Sequence, residues 1–221
     1  MATGVWKAEI KALAAVVLRR ALTSNIPKPG EEGVQVALWT VLTLQGKAYL
    51  KDNLLQAIHA AEKDLAHKLS NLLVEMAGAI YEHEGETIWQ DLLNLVFQFT
   101  NSQSHVQVEA ALNILTGLQE YIPDHLNKHQ SDLKGIFERT LRHESLDIRL
   151  ASLRATAEYL NTVESKDTKA FEALVPDMLG VLVRANQEDD ETVLDEGFIE
   201  FIELAEQEPK FFRKAFKEIY Q

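Results

Sequence analysis

Cysteine is absent from all 221 residues, which excludes disulfides, thiolate zinc sites and cysteine nucleophiles and leaves packing alone to hold the fold. No run of about 18 uncharged apolar residues occurs, so a membrane-spanning helix is not supported. The opening MATGVWKAEIKALAAVVLRR carries charges through its apolar part and lacks a small-residue cleavage site, so it does not read as a secretory signal, and an intracellular protein is expected. Basic residues are the minority, 22 against 34 acidic ones, which gives a net charge of −12 and a pI near 5.0. A phosphate backbone would be repelled on average, so nucleic acid is not an expected partner, whereas a basic protein segment would be attracted. Glycine and proline are sparse, at 10 and 5, and two of each fall within the segment TSNIPKPGEEG, residues 23–33. That segment reads as the one clear loop, and long stretches elsewhere are free of helix breakers.

What is present is a hydrophobic fraction of 46%, enough for a sizeable core, and it is arranged with helical spacing. From Asp64 to Glu82, the residues Leu65, Leu69, Leu72, Leu73, Met76, Ala77 and Ile80 fall at i, +4, +7, +8, +11, +12 and +15, one stripe along one helix. Similar stripes recur at Val108, Ala111, Leu112, Leu115 and Leu118, around Ile148, Ala151 and Ala155, and at Leu194, Phe198, Phe201 and Ile202. Partner segments run roughly over 51–62, 87–99, 129–141 and 168–183, and the short polar joins suit antiparallel hairpins. No alternating β pattern intervenes. Ser104 followed by Gln107 has the spacing of a capping box. Pro123 and Pro209 fall where helices should begin or end, while Pro176, inside FEALVPDMLGVL, predicts a kink in a continuing helix.

The second helices repeat. Aligned on their starts, Ala66, Val108, Arg149 and Leu194 are spaced by 42, 41 and 45 residues, a period that fits HEAT or armadillo units and exceeds that of tetratricopeptide or ankyrin repeats. The expected fold is all-α, an α-solenoid of about five HEAT repeats with the last incomplete. The helix pairs fall roughly at 5–62, 64–99, 104–141, 146–183 and 191–220 within a single domain, 1–221. The closing EPKFFRKAFKEIYQ reads as an amphipathic helix whose Phe211, Phe212, Phe216, Ile219 and Tyr220 lack a following partner. Such a bare stripe suggests a piece of a longer solenoid and offers a route to self-association through terminal helices.

Several strings then carry a resemblance: IKALAAVVLRRALTS, LLVEMAGAIYE, IWQDLLNLVFQFTNSQ, VEAALNIL, DIRLASLRATAEYL and DDETVLDEGFIEFIELAEQEPKFFR. They resemble the N-terminal HEAT repeats of the karyopherin-β nuclear transport receptors, in particular the importin beta-3 branch, over about Ile10 to Tyr220. Leu13 to Arg20, the Trp89 segment and Glu208 to Arg213 weigh most. Of the basic residue usual early in the second helix of a HEAT unit, Lys11 and Arg149 keep the charge, and Ala66, Val108 and Leu194 do not. The resemblance implies a cargo receptor that shuttles between cytoplasm and nucleus through the nuclear pore. Its implied partners are a Ran-type small GTPase, basic cargo segments and nucleoporins, with the early repeats contributing to Ran binding through their inner helices.

If the second helices line a concave face, the residues opposite their apolar stripes should meet partners. These are Lys68, Asn71 and Glu75; Glu109, Asn113 and Glu120; Arg154, Glu158 and Asn161; and Glu196, Glu200 and Glu203. Most are acidic, which predicts an acidic ladder, although each taken singly fits an ordinary solvated face better, and only the face as a whole points to binding. Catalysis finds little support. His125 and His129, four apart beside Asp124, would put two imidazoles on one helical face, but the glutamate of the zinc-protease motif is missing and the pair straddles a helix start. His83 lies in a polar turn, and neither a phosphate loop nor a G-x-S-x-G elbow occurs. No enzyme activity, metal or cofactor is expected. The alternative to a transport receptor is a HEAT scaffold of another kind, such as a phosphatase-type assembly platform, indifferent to nucleotide state.

Overall fold

The computed structural model describes residues 8–28, 30, 33–187, 199 and 201–213. The chain divides into two compact units, Met1–Tyr121 and Ile122–Gln221.

In the first unit, α1 (Ala8–Thr23) leads into a two-stranded hairpin of β1 (Asn25–Pro27) and β2 (Gln35–Ala37), antiparallel with Ile26 opposite Val36. A short α2 (Leu38–Val41) follows, then α3 (Leu44–His59), α4 (Lys63–His83), α5 (Gln90–Phe99) and α6 (His105–Leu118). The loop expected over residues 23–33 is therefore partly ordered as a β-hairpin. Three-residue strands are too short for a period-2 pattern to show, and between them Gly30 and Gly33 take positive φ, which glycine adopts without strain. α3 begins at Leu44, earlier than the expected partner segment, because Thr43 caps it by accepting from the Gly46 amide at 3.1 Å.

The apolar stripe of α4 is the spine of this unit. Leu69, Leu72, Leu73, Met76, Ala77 and Ile80 are buried, with Leu72, Leu73 and Met76 wholly so. Burying a side chain of that size contributes about 1.5–3 kcal/mol each. α4 packs on α1, α3 and α6. Against α6 the pairing runs from Lys63 with Glu109, through Ser70 with the Ala110 carbonyl and Val74 with Gly117, to Gly78 with Tyr121. Sequence numbers rise together along both helices at an offset of 40 to 46 residues, so the two second helices lie parallel, displaced by one repeat. Glycines make the approach close: a Cβ on Gly117 would lie 2.6 Å from Val74 Cγ1, and one on Gly78 would lie 2.5 Å from Tyr121 Cε1. The outer helices stack in the same sense, the His59 ring at the end of α3 meeting Phe99 at the end of α5 edge to face at 4.9 Å.

Ser104 is the N-cap of α6, but its hydroxyl caps nothing and Gln107 does not reach back to it. Instead Ser102 Oγ accepts from the Ser104 amide at 3.0 Å and donates to Gln107 Oε1 at 2.6 Å, while Gln107 Nε2 donates to the His59 carbonyl at 3.0 Å. The expected box is replaced by a bridge that ties the α6 start to the end of α3.

In the second unit, α7 (Pro123–Asn127) starts on Pro123, and α8 (Gln130–Thr140) and α9 (Leu146–Thr162) form an antiparallel hairpin. Thr140 Oγ1 meets Ser152 Oγ at 2.7 Å, and Phe137 meets Tyr159 with ring centroids 6.0 Å apart. Then come α10 (Ser165–Thr168), a 3-10 turn (Lys169–Leu174) and α11 (Val175–Gln187). Pro176 accordingly stands in the first turn of α11 and produces no kink in a continuing helix. Its ring would clash with the carbonyl four residues back, so the chain before it tightens to 3-10 geometry and a new helix starts where a missing amide costs nothing. Phe137, Tyr159 and Phe171 form the aromatic centre of this unit, each fully buried. Residues 201–207 are helical and Pro209 follows their end. Phe211 and Phe212 lie in a turn, 4% and 1% exposed and edge to face with each other, so this part of the expected bare stripe is covered. Phe216, Ile219 and Tyr220 lie outside the described residues.

Candidate functional site

The polar edge of the second helices is the surface the fold builds most deliberately, because every core residue of α4 and α6 forces the residues opposite it outward. On α4, Lys68, Asn71 and Glu75 sit at i, +3 and +7 and are all half-buried. They face α1. Glu75 Oε1 accepts from Arg19 twice, from Nε at 3.2 Å and from Nη2 at 2.8 Å. Lys68 pairs with Asp64 at 2.5 Å, one turn back on its own helix. With Val16, Arg20 and Thr23, these side chains line a cleft of about 460 Å³ between α1 and α4.

A second cleft of about 400 Å³ begins on the other side of Glu75. It is lined by Gly78, Ala79, Glu82 and His83 of α4, by Tyr121 and by Asn25, Gln35, Val36 and Ala37 of the β-hairpin. Tyr121 fits over the bare Gly78 backbone, and its phenol is pushed upward by burial and then by the carboxylates of Glu120, Glu75 and Glu82. On α6, Glu109 and Asn113 are half-buried, and Glu109 reaches Lys63 at 3.7 Å. Glu120 is exposed beyond the end of α6, because the helix stops at Leu118 and the helical spacing that placed it no longer applies.

In the second unit, Arg154, Glu158 and Asn161 lie half-buried on α9. Asn161 Oδ1 is buried without a hydrogen-bond partner among the described residues. Glu203 is exposed on the 201–207 helix, and Glu196 and Glu200 lie outside the described residues.

The structure thus gathers Lys68, Asn71 and Glu75 into one cleft, and it changes the electrostatic reading there. An acidic ladder was expected, but Glu75 is engaged by Arg19, and the α1–α4 cleft carries Arg19, Arg20 and Lys68 against that one carboxylate. The α1 residues were missed because the ladder was read from Ala66 onward. The signal was available: aligning Lys11 with Ala66, an offset of 55, carries Asn71 to Val16 and Glu75 to Arg20, both of which line the cleft.

His125 and His129 have ring centroids 5.6 Å apart, with His125 Nε2 buried and without a hydrogen-bond partner among the described residues, and its pKa lowered by burial and then by Lys128 and His129. His129 stands 3.8 Å from Asp132. Among the described residues, no group of three or more His, Asp or Glu is placed to hold a metal ion, and no helix is long and apolar enough to cross a membrane.

A family profile described as IPO5-like, TPR repeats, matches residues 61–221. The chain belongs to that karyopherin-β family. Despite the repeat type in that description, the starts of α4, α6 and α9 at Lys63, His105 and Leu146 are 42 and 41 residues apart, longer than the roughly 34-residue tetratricopeptide unit. Importin subunit beta-3 of Saccharomyces cerevisiae (strain ATCC 204508 / S288c) is 23% identical over 213 residues, covering 96% of this chain and 19% of the yeast protein. Among solved structures, Kap121p bound to Nup53p superposes with a TM-score of 0.74, and Kap121p bound to RanGTP with 0.71. Both are 22% identical and cover 98% of this chain and 19% of Kap121p. These likenesses establish the fold as an α-solenoid of HEAT type. The chain spans about a fifth of the length of the relatives it matches.

Proposed function

We propose that this chain serves as a segment of a nuclear transport receptor that binds other proteins through the polar face of its second helices. The observation that carries the reading is the parallel stacking of α4 on α6 at an offset of one repeat, in a chain of the IPO5-like family. Stacking of this kind presents successive half-buried polar rows, Lys68, Asn71 and Glu75 and then Glu109 and Asn113, as one continuous surface. The proposed partners are a Ran-type small GTPase, basic cargo segments and nucleoporins, and the proposed setting is the cytoplasm, the nucleus and the pore between them. Kap121p complexes with RanGTP and with Nup53p support protein partners of these kinds. The reading assigns no reaction to the chain, only recognition.

The test is a pull-down of a Ran-type GTPase loaded with GTP or with GDP on the immobilised chain. The expected result is capture in the GTP form with at least tenfold preference. Equal capture in both states, or capture in neither, would turn the assignment toward a scaffold insensitive to nucleotide.

A further inference from the structure

We propose that the cleft between α1 and α4 docks an acidic peptide segment of a partner protein. Three cations line it, Arg19, Arg20 and Lys68, in a chain whose net charge is −12. Glu75, the one carboxylate among the described residues that line the cleft, is occupied by Arg19. Arg20 is exposed, and its guanidinium meets no acceptor among the described residues. Asn71 is half-buried, and its side-chain amide likewise has no hydrogen-bond partner among them. Among the described residues Lys68 is held by Asp64, itself 81% exposed, and an exposed pair of this i,i+4 kind is weak enough to be exchanged for a better partner.

The cleft therefore presents spare donors and excess positive charge at half-buried positions, in about 460 Å³, room for two or three side chains. A guanidinium with its fork of donors and an amide beside it suit carboxylates. A run of Asp or Glu supplies several carboxylates at the spacing of a peptide. A basic segment would meet Arg20 and a lining in which cations outnumber the carboxylate, so this part of the second-helix face selects the opposite partner charge from the one the composition suggests.

The probe is fluorescein-labelled octaglutamate, titrated with the whole chain by fluorescence anisotropy at about 50 mM salt, where screening is mild. Saturable binding is expected, weakened at least tenfold by Arg20→Glu together with Lys68→Glu, and weakened at higher salt. Lys169→Glu removes an exposed cation of the second unit and is expected to leave affinity unchanged. Arg20→Gln, with helical circular dichroism recorded for every variant, separates loss of the site from loss of the fold. No binding by the wild-type chain, equal affinity for wild type and the double reversal, or an equal loss with Lys169→Glu would overturn the proposal. The assay contains no GTPase, so its outcome is independent of the nucleotide preference that tests the transport reading.

Discussion

Gly117 on α6 lies against Val74 on α4, and replacing it by alanine tests the close packing of the two second helices. The added Cβ would sit 2.6 Å from Val74 Cγ1, 2.8 Å from Cγ2 and 3.2 Å from Cβ. Both methyls are in the way, and a β-branched side chain in a helix has essentially one rotamer to offer, so the strain has to be relieved by moving α6 off α4. Overpacking of this size costs about 1–3 kcal/mol. Alanine in place of glycine inside a helix returns about 1 kcal/mol through propensity. The net expectation is a loss of about 1 kcal/mol in the wild-type background.

With Val74→Ala the methyls are gone, and what remains is the propensity gain and a tight 3.2 Å contact between the two Cβ atoms, which a small shift of either side relieves. Gly117→Ala should then stabilise, by up to about 1 kcal/mol relative to Val74→Ala alone. The coupling between the two sites is therefore about 2 kcal/mol, and the sign of the glycine substitution reverses with its neighbour. Urea denaturation of the four proteins of the cycle, followed by helical circular dichroism and compared at constant m-value, measures it. If Gly117→Ala stabilises both backgrounds equally, α4 and α6 do not approach as described and the parallel stacking argument fails.

Glu84, just beyond α4, accepts from Lys47 Nζ at 2.7 Å and from Trp39 Nε1 at 3.0 Å. The Lys47 hydrogen bond leads the causes that hold its carboxyl below the usual range. Its stabilising contribution is therefore complete above the ordinary carboxylate range and is lost as pH falls through the lowered value. Glu84→Gln should cost about 1 kcal/mol at neutral pH and flatten that acid limb, as read by melting temperature against pH. His125 works in the neighbouring pH range. Burial lowers its pKa, so the folded protein resists protonation that the unfolded chain accepts, and stability declines as pH falls below the ordinary histidine range near 6.5. His125→Asn should remove that slope below about pH 6.5, and a slope unchanged by the substitution would show that His125 is not its source.

The period of the second helices was legible in the sequence, because the α4 stripe from Leu69 to Ile80 is set by side-chain burial and nothing competes with it. The features that escaped are those decided by tertiary contact. Gln107 has the spacing of a capping residue, yet a carbonyl at the end of α3 offers it a partner 48 positions away. Pro176 was legible as a disturbance but not as a helix start, because that depends on the 3-10 turn before it. At the candidate site, the positions Lys68, Asn71 and Glu75 followed from spacing alone, while the local charge did not. Composition sums over the whole chain, and the cations of the cleft come partly from Arg19, 56 positions before the Glu75 it engages.

The most direct measurement on the central claim is hydrogen exchange of the chain with and without a GTP-loaded Ran-type GTPase. The second-helix reading predicts new protection in α1, α4 and α6, with little change in α3 and α5 and none with the GDP form. Protection confined to α3 and α5, or the same protection in both nucleotide states, would contradict it.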